Sequence, residues 1–290
     1  MKTIISFLFI LSICLYFNCS DNKPTDKAKD ITRDGANINY QISGNGDTTL
    51  LFVHGAYIDQ TYWKDQVNYF SPHFKVVTID LPGHGLSGKT RQKWSIQGFA
   101  GDIITVIKEL NLKNVILIGH SMSGDINLIA ATSYPEPIIG FIGIDNFKHA
   151  VYQSSPEDLK QVDTMLIHLK QDFAKSNEQF ARMYLLTSKT PEAITNRVVT
   201  DFKNANQVME LQIMPEIFDT YKLEKELLPK MKWKLNLINV DYKPLDETPL
   251  KQYPGAGYQV YHINGTSHYP MLETPDALNK AIDQVIHGIK

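Results

Sequence analysis

Short, predominantly apolar segments separated by amphipathic helices are the feature that most constrains the fold of this chain. Residues 49–53, 74–80, 114–118 and 138–144 are such segments, and they do not alternate regularly between apolar and polar side chains. A strand that is apolar at nearly every position needs cover on both faces, as in a parallel sheet with helices on either side. The sequence therefore predicts an α/β fold with a doubly wound, mostly parallel sheet.

After residue 145 the pattern changes to helices alone, and strand-like segments return only near residue 234. Ser155 and Pro156 form a typical helix start, and apolar residues follow at helical spacing. Residues 235–240 and 258–263 resume the strand pattern. We therefore expect one sheet domain formed by residues 31–145 and 234–290, interrupted by a helical insertion at residues 146–233.

A turn sequence near the start of the sheet domain suggests a local strand pairing. Residues 44–47 (Gly-Asn-Gly-Asp) lie between an alternating segment at 37–43 and the apolar segment at 49–53. Glycine and asparagine at such a position are typical of a β-hairpin turn. The sequence thus predicts that these two segments pair with each other in antiparallel fashion.

Residues 1–30 have the pattern of an export signal and a linker. Lys2 precedes an apolar run at residues 4–13, which is too short to span a membrane comfortably. Cys19 then opens a polar stretch, an arrangement that resembles a bacterial lipoprotein signal in which the cysteine is lipidated. A secretory signal that is simply cleaved is the alternative. We expect an exported protein, either periplasmic or anchored to a membrane through Cys19.

Composition and cysteine placement exclude several classes of function. The chain has 29 Lys and Arg against 31 Asp and Glu, so it lacks the basic excess of a nucleic-acid-binding protein. Its two cysteines, Cys14 and Cys19, both lie in the signal segment, so the remainder has no disulfide framework and no thiolate metal site. We expect a small-molecule substrate, no nucleic-acid partner, no metal and no cofactor, and membrane contact only through the N-terminal anchor. The oligomeric state stays open.

Residues 119–124 (Gly-His-Ser-Met-Ser-Gly) follow a predicted strand and open a predicted helix. A sharp strand-to-helix turn with small flanking residues holds its central serine out of the sheet, where the hydroxyl is exposed to a substrate. Ser121 is therefore the candidate nucleophile. Ser123 stands where the pattern commonly has glycine, and its small side chain is compatible with the turn.

The end of the strand at residues 49–53 supplies a candidate oxyanion hole. Gly55 and Ala56 follow it, and the backbone N–H groups of Ala56 and Met122 are predicted to converge on a substrate oxygen. We interpret His54 as a residue that holds this loop by hydrogen bonding rather than as a catalytic base.

Four motifs in order resemble the α/β-hydrolase fold family, in its serine-hydrolase branch of esterases, lipases and haloperoxidase-like enzymes. They are residues 54–55 (His-Gly), 80–85 (Asp-Leu-Pro-Gly-His-Gly), 119–122 (Gly-His-Ser-Met) and 265–268 (Gly-Thr-Ser-His). The resemblance covers nearly all of residues 37–290, and the insertion sits where this family carries its lid.

The resemblance implies a catalytic triad in the chain order serine, acid, histidine. His268 occupies the loop in which the family has its catalytic base. The family usually takes the acid from the loop after the strand at 235–240, which makes Asp241 the preferred candidate. Asp145, after the strand at 138–144, is the alternative, because some members recruit the acid there. Asp246 and Glu247 are expected to be solvated loop charges.

The expected reaction is hydrolysis of a small to medium uncharged ester, thioester or lactone through an acyl-enzyme. Apolar side chains and methionines in the insertion favour such a substrate. Tyr57 and Trp63 are candidates for the acyl pocket, although Trp63 is also suited to anchoring its own helix. The alternatives are a carbon–carbon bond hydrolase or perhydrolase with the same residues, and a ligand-sensing or partner-binding protein with slow or no turnover.

Overall fold

The structure is a computed structural model that describes residues 30–289, so the predicted signal segment with Cys14 and Cys19 lies outside the described residues. Its strands are, in chain order, β1 (Ile31–Arg33), β2 (Ala36–Ile38), β3 (Tyr40–Ser43), β4 (Thr49–Val53), β5 (Lys75–Ile79), β6 (Val115–His120), β7 (Ile138–Ile144), β8 (Leu235–Val240) and β9 (Tyr258–Ile263).

Helices separate the strands from β4 onward and fill the long interval between β7 and β8. They are α1 (Lys64–Phe70), α2 (Ile96–Glu109), α3 (Ser123–Ser133), α4 (Pro156–Gln171), α5 (Phe173–Phe180), α6 (Glu192–Asn204), α7 (Gln207–Ile217), α8 (Tyr221–Leu227), α9 (Thr248–Gln252), α10 (Pro270–Glu273) and α11 (Pro275–Gly288). Within the part of the chain that the structure describes, no helix is both long and apolar enough to cross a membrane.

The main sheet has seven strands in the order β3-β5-β4-β6-β7-β8-β9. Only β3 is antiparallel to its neighbour, and every other pair in this sheet is parallel. A separate antiparallel hairpin of β1 and β2 stands beside it. The predicted α/β class with a doubly wound, mostly parallel sheet is therefore confirmed.

The predicted hairpin across residues 44–47 is wrong. The segment expected there as one strand is divided into β2 and β3, and β3 pairs with β5 rather than with β4. β5 lies between them and pairs in parallel with β4. The turn residues are suited to a hairpin, but the apolar strands β4 and β5 pair in parallel with each other. The strand β3 therefore pairs with β5 and not with β4.

Both faces of the sheet are covered, which explains the continuous apolar runs. All five residues of β4 are buried. Leu51 and Val53 pack in one cluster with residues of α2 and α3. Leu50 and Phe52 pack on the opposite side with residues of α1 and α11. The helices before and after each strand thus remove both faces from water, which is the main stabilising contribution in a sheet of this kind.

Two side chains of α7 attach the insertion to the start of α2. Glu216 accepts a hydrogen bond from the Ile96 backbone N–H (2.8 Å), and Gln212 accepts one from the Trp94 N–H (3.1 Å). The first N–H groups of a helix have no partner within the helix, and a carboxylate is favoured there by the helix dipole. Helix α7 is therefore held to the core by polar bonds as well as by its buried apolar residues.

A buried carboxyl pair joins α3 to α8. Asp125 lies in the first turn of α3, its Oδ1 atom is buried, and it shares a hydrogen bond with Glu224 of α8. Glu224 also accepts bonds from the Val151 N–H and from the Thr220 hydroxyl. Burial raises the pKa of both carboxyl groups, and the neighbouring acid raises the pKa of Asp125 further. One proton shared between the two carboxyl groups relieves this repulsion.

Asp125→Asn should stabilise the protein at alkaline pH. The carboxyl pKa values of the unfolded chain are about 4, and those of the native pair are raised, so the native state binds protons more tightly. The free energy of unfolding therefore falls as pH rises from about 4 through the raised native pKa. The asparagine amide replaces the shared proton as a donor. We expect Tm at pH 8 to rise by roughly 2–4 °C and to change little at pH 5. Thermal unfolding at both pH values measures this, with exposed Asp163→Asn as the control. An equal shift at both pH values would contradict the shared proton.

Candidate active site

The predicted site residues follow the ends of neighbouring parallel strands, whose carboxyl ends share one edge of the sheet. Ser121 follows β6 and Asp145 follows β7, while Asp241 follows β8. The Ser121 N–H donates to the carbonyl of Ile144 (3.0 Å), the last residue of β7. Clefts at this edge are where α/β sheets bind ligands.

Ser121 adopts the strained bend predicted from its motif. Its φ is +54°, in the left-handed region that non-glycine residues seldom occupy. A Cβ on Gly119 would lie 2.5 Å from the Ser123 carbonyl oxygen and from the Asn127 amide nitrogen, so only glycine fits there. The bend therefore requires the small residue before it and raises Ser121 above the strand end.

Ser123 has a role beyond being small. Its side chain is fully buried, and its hydroxyl donates a hydrogen bond to the His54 carbonyl. This bond ties the start of α3 to the loop after β4. In the sequence this role is indicated by a serine at a position where the motif commonly has glycine and needs a small residue.

The loop after β4 passes directly beside Ser121. A Cβ on Gly55 would lie 3.1 Å from the Ser121 Cβ and 2.8 Å from Nδ1 of His120. His54 accepts a hydrogen bond from the Leu81 N–H (2.9 Å) at Nε2 and donates from Nδ1 to the Gly55 carbonyl (2.7 Å). Burial lowers the pKa of His54, so it is neutral and structural. Ala56 therefore follows a loop held on two sides, close to the Ser121–Met122 bend.

Two hydrogen bonds to the backbone of His268 hold the loop that carries it. The His268 N–H donates to the Leu185 carbonyl of the insertion (3.0 Å), and Nε2 of His120 donates to the His268 carbonyl (2.8 Å). The rings of His120 and His268 are 4.4 Å apart. Burial, together with the charge of His268, lowers the pKa of His120 to about 3, so His120 is a neutral donor. Since Ser121 follows His120 in the chain, this contact brings the His268 loop beside the bend.

Asp145 is the carboxylate that contacts His268. Its Oδ2 lies 2.5 Å from Nδ1 of His268, and its side chain is completely buried. Its N–H donates to the Ile238 carbonyl (2.9 Å), and its φ of +48° turns the chain sharply at the end of β7. Burial would raise the pKa of Asp145, but the hydrogen bonds and charges of His268 and Lys148 outweigh it and lower the pKa below its ordinary value.

The structure corrects the ranking of the two acid candidates. Asp241 is exposed, and its Oδ1 accepts a hydrogen bond from the Gly265 N–H (2.8 Å) instead of approaching the imidazole. It stabilises the loop that leads to His268, whereas Asp145 occupies the place against Nδ1. Asp246 is an exposed loop residue that accepts a bond from the Thr248 N–H. Glu247 binds the Tyr258 hydroxyl and does not take part in this cluster.

Tyr242 belongs to the same cluster but was not predicted. Its hydroxyl lies 3.2 Å from Nδ1 of His268 and also interacts with the Asp145 carboxylate. Burial and the charge of Asp145 raise the pKa of Tyr242, so the phenol stays protonated and acts as a donor. The sequence gives one signal for it: Tyr242 directly follows Asp241 in the loop that is predicted to carry the acid.

The two predicted pocket residues have different positions. Tyr57 has a φ of +68° and stacks on Phe202 of α6 with the ring centroids 4.1 Å apart, so it joins the loop after β4 to the insertion. Trp63 is fully buried and packs on Phe52 of β4 (5.1 Å between centroids). The complete burial of Trp63 fits its alternative role as an anchor in the core, and its place at an acyl pocket stays a prediction.

The cluster is suited to moving a proton. An imidazole that donates Nδ1–H to a buried carboxylate leaves Nε2 unprotonated and able to accept a proton. A carboxylate that stays ionised at Nδ1 stabilises the imidazolium that then forms. Both features are present in the contact between Asp145 and His268.

Comparison with known proteins agrees with this architecture. The family model described as the alpha/beta hydrolase fold matches residues 48–244. A Haemophilus influenzae protein with the provisional name esterase/lipase is 27% identical, over 97% of this chain and 99% of its own length. The karrikin insensitive 2 receptor CA of Petunia hybrida is 23% identical, over 86% of this chain and 95% of its own.

Solved structures show the same fold. An esterase from Exiguobacterium antarcticum superposes with a TM-score of 0.76 at 19% identity, over 89% of this chain and 98% of the other. The family model matches most of the chain, and the described sheet is mostly parallel with helices between its strands, as the sequence predicts. The chain is therefore a hydrolase that belongs to the alpha/beta hydrolase fold family.

Proposed function

We propose that the protein is a serine hydrolase that cleaves small to medium uncharged esters, thioesters or lactones through an acyl-enzyme. The 2.5 Å contact between Asp145 and His268, beside a serine held at positive φ, is the observation that carries the proposal. The esterase/lipase name of the Haemophilus influenzae relative supports the same reaction class.

The proposed reaction has two steps that share the same groups. Ser121 Oγ attacks the carbonyl carbon while Nε2 of His268 takes the hydroxyl proton, and the backbone N–H groups of Ala56 and Met122 donate to the carbonyl oxygen as it becomes negative. Asp145 stabilises the imidazolium, which then protonates the leaving alcohol or thiol. Water attacks the acyl-enzyme with His268 again as the base, so the acid is released and Ser121 regains its proton.

The preference for uncharged substrates follows from the residues around the bend. Met122 packs in one apolar cluster with Met209 and Ile213 of α7. On the other side of the loop, Tyr57 packs with Phe202 of α6. A charged group placed against these side chains would lose its hydration without a partner, and methionine adapts readily to apolar shapes of different outline.

Ser121→Ala should abolish hydrolysis. Removing the nucleophile of such a triad lowers kcat by roughly 10⁴-fold or more, and we expect that loss with p-nitrophenyl butyrate. Fluorophosphonate labelling followed by mass spectrometry should map the adduct to Ser121. Ser133→Ala, at the exposed far end of α3, serves as the control and should retain activity. Residual turnover in Ser121→Ala above one-tenth of the unmodified protein would refute the proposal.

Substitution of each acid candidate by asparagine distinguishes them by the loss of kcat/KM. Asp145→Asn should lower kcat/KM by roughly 10³- to 10⁴-fold, because an amide at this position favours the wrong imidazole tautomer. Asp241→Asn should change kcat/KM by less than about threefold, since Asp241 is exposed and binds the Gly265 N–H instead of the imidazole. The matched pair is measured on one ester at one pH. The assignment of Asp145 fails if the Asp241 variant shows the larger loss.

A ligand sensor is the second candidate function. The Petunia hybrida relative carries a receptor name and matches most of this chain. A sensor with the same residues would acylate once and then turn over very slowly. Burst and steady-state rates on the same ester distinguish the two: a stoichiometric burst with negligible later turnover favours the sensor, and sustained turnover favours the hydrolase.

We also propose that the protein is exported through the segment before residue 31, either cleaved or lipidated at Cys19. Expressed with a C-terminal tag in a Gram-negative bacterium, it should be recovered outside the cytoplasm with a mass lower than that of the full chain. If Cys19 is lipidated, Cys19→Ala should release the protein from the membrane fraction. If the signal is simply cleaved, this variant should behave as the unmodified protein does. A full-length cytoplasmic product would contradict export.

A further inference from the structure

Asp145 has a second strong partner that the proposed reaction does not use. The Lys148 ammonium lies 2.9 Å from Oδ1 of Asp145, on the oxygen that does not face His268. It also donates to the carbonyl oxygens of Val240 (2.7 Å) and Lys243 (3.1 Å). An ammonium group has three N–H donors, and all three are engaged here. The Lys148 side chain is only 11% exposed, so these bonds replace its hydration.

Lys148 connects the two chain segments that leave β7 and β8. Asp145 and Lys148 belong to the segment after β7, and the two carbonyl acceptors belong to the end of β8 and its loop. The Lys148 carbonyl in turn accepts the Asp246 N–H (2.9 Å). The segment after β7 contains left-handed φ values at Asp145 and Phe147, +48° and +52°. Such backbone is strained and persists only where the surroundings hold it.

The charge of Lys148 opposes part of the effect of Asp145. A carboxylate at Nδ1 stabilises the imidazolium form of His268, which is useful in the transition state. The reaction also requires the neutral imidazole in the resting protein, because only that form accepts the serine proton. A cation bonded to the other carboxylate oxygen offsets some of the negative charge that His268 experiences.

We propose that Lys148 is a positioning residue that holds Asp145 against His268 and extends activity toward acidic pH by offsetting the charge of Asp145. This inference rests on the proposed function, because it assigns Lys148 a task within the same set of groups. Lys148 acts through Asp145, and no contact with the substrate is required of it.

The other titratable groups around Asp145 and His268 do not supply this charge. His120 is neutral because burial lowers its pKa to about 3, and Tyr242 and Tyr269 are neutral because burial raises their pKa values. Glu273 bonds to the Ser267 N–H (3.2 Å), next to His268, and adds negative charge on that side. Lys243 is a second cation near Asp145, but burial lowers its pKa and its ammonium lies over the rings of Tyr184 and Tyr242.

Lys148→Met removes the charge and keeps the length of the side chain. We expect the acid limb of the kcat/KM profile on p-nitrophenyl butyrate to move to higher pH by about one unit, the order expected for one partly buried charge a few ångströms away. Lys148→Arg keeps the charge, so its acid limb should stay within about 0.3 unit while kcat falls, because a guanidinium cannot repeat the same three bonds. Lys243→Met is the matched control and should shift the limb much less. Lys148→Gln replaces the methionine variant if circular dichroism shows that the latter is unfolded.

A second readout separates this inference from the proposed function. The NMR titration of the His268 ring, assigned with His268→Gln, needs no turnover and should have its midpoint moved upward in Lys148→Met by a similar amount. If no ester is hydrolysed but the midpoint moves, the serine hydrolase proposal fails, whereas the effect of Lys148 on the imidazole through Asp145 stands. If folded Lys148→Met keeps both its acid limb and its midpoint within 0.2 unit of the unmodified protein, the inference is overturned.

Discussion

The parallel pairing of β6 with β7 is the constraint on which the site depends. Its register sets His120 opposite Ile144, so the residues that follow, Ser121 and Asp145, leave the sheet side by side. The hydrogen bond from the Ser121 N–H to the Ile144 carbonyl fixes this relation at the last rung of the ladder. A one-residue slip of either strand would turn that strand's side chains to the opposite face and separate Ser121 from Asp145.

The parts of the site that the sequence predicts well are those in which chemistry and backbone shape are local. The bend at Ser121 needs glycine at residue 119 because a Cβ there would clash with atoms only four to eight residues away. The loop after β4 needs Gly55 for a long-range reason, because a Cβ there would lie 3.1 Å from the Ser121 Cβ, but the glycine itself stands at a fixed offset from the end of β4. Both glycines stand at fixed positions near the end of a strand. The sequence motif therefore predicts the backbone geometry that the structure shows.

The acid was harder to predict because two aspartates satisfy the same local rule. Asp145 and Asp241 each follow a buried parallel strand, and neither is distinguished by its neighbours in sequence. What separates them is long-range: the positive φ at Asp145 and the contact with His268, 123 residues later. The predicted hairpin failed for a related reason, since its turn residues are local whereas the insertion of β5 between β3 and β4 is not.

The polar groups around Asp145 show how a carboxylate can be both buried and ionised. Desolvation opposes its charge, and an isolated carboxylate at this depth would bind a proton. Oδ2 faces the imidazole and Oδ1 faces the ammonium and, more distantly, the Val240 N–H (3.4 Å), so each oxygen has its own donor. A cation placed between the carboxylate and the imidazole would cancel the charge of Asp145 and break its contact with His268. Because the two partners bind opposite oxygens, the negative charge that His268 experiences is reduced and not abolished, and the imidazole keeps a defined tautomer.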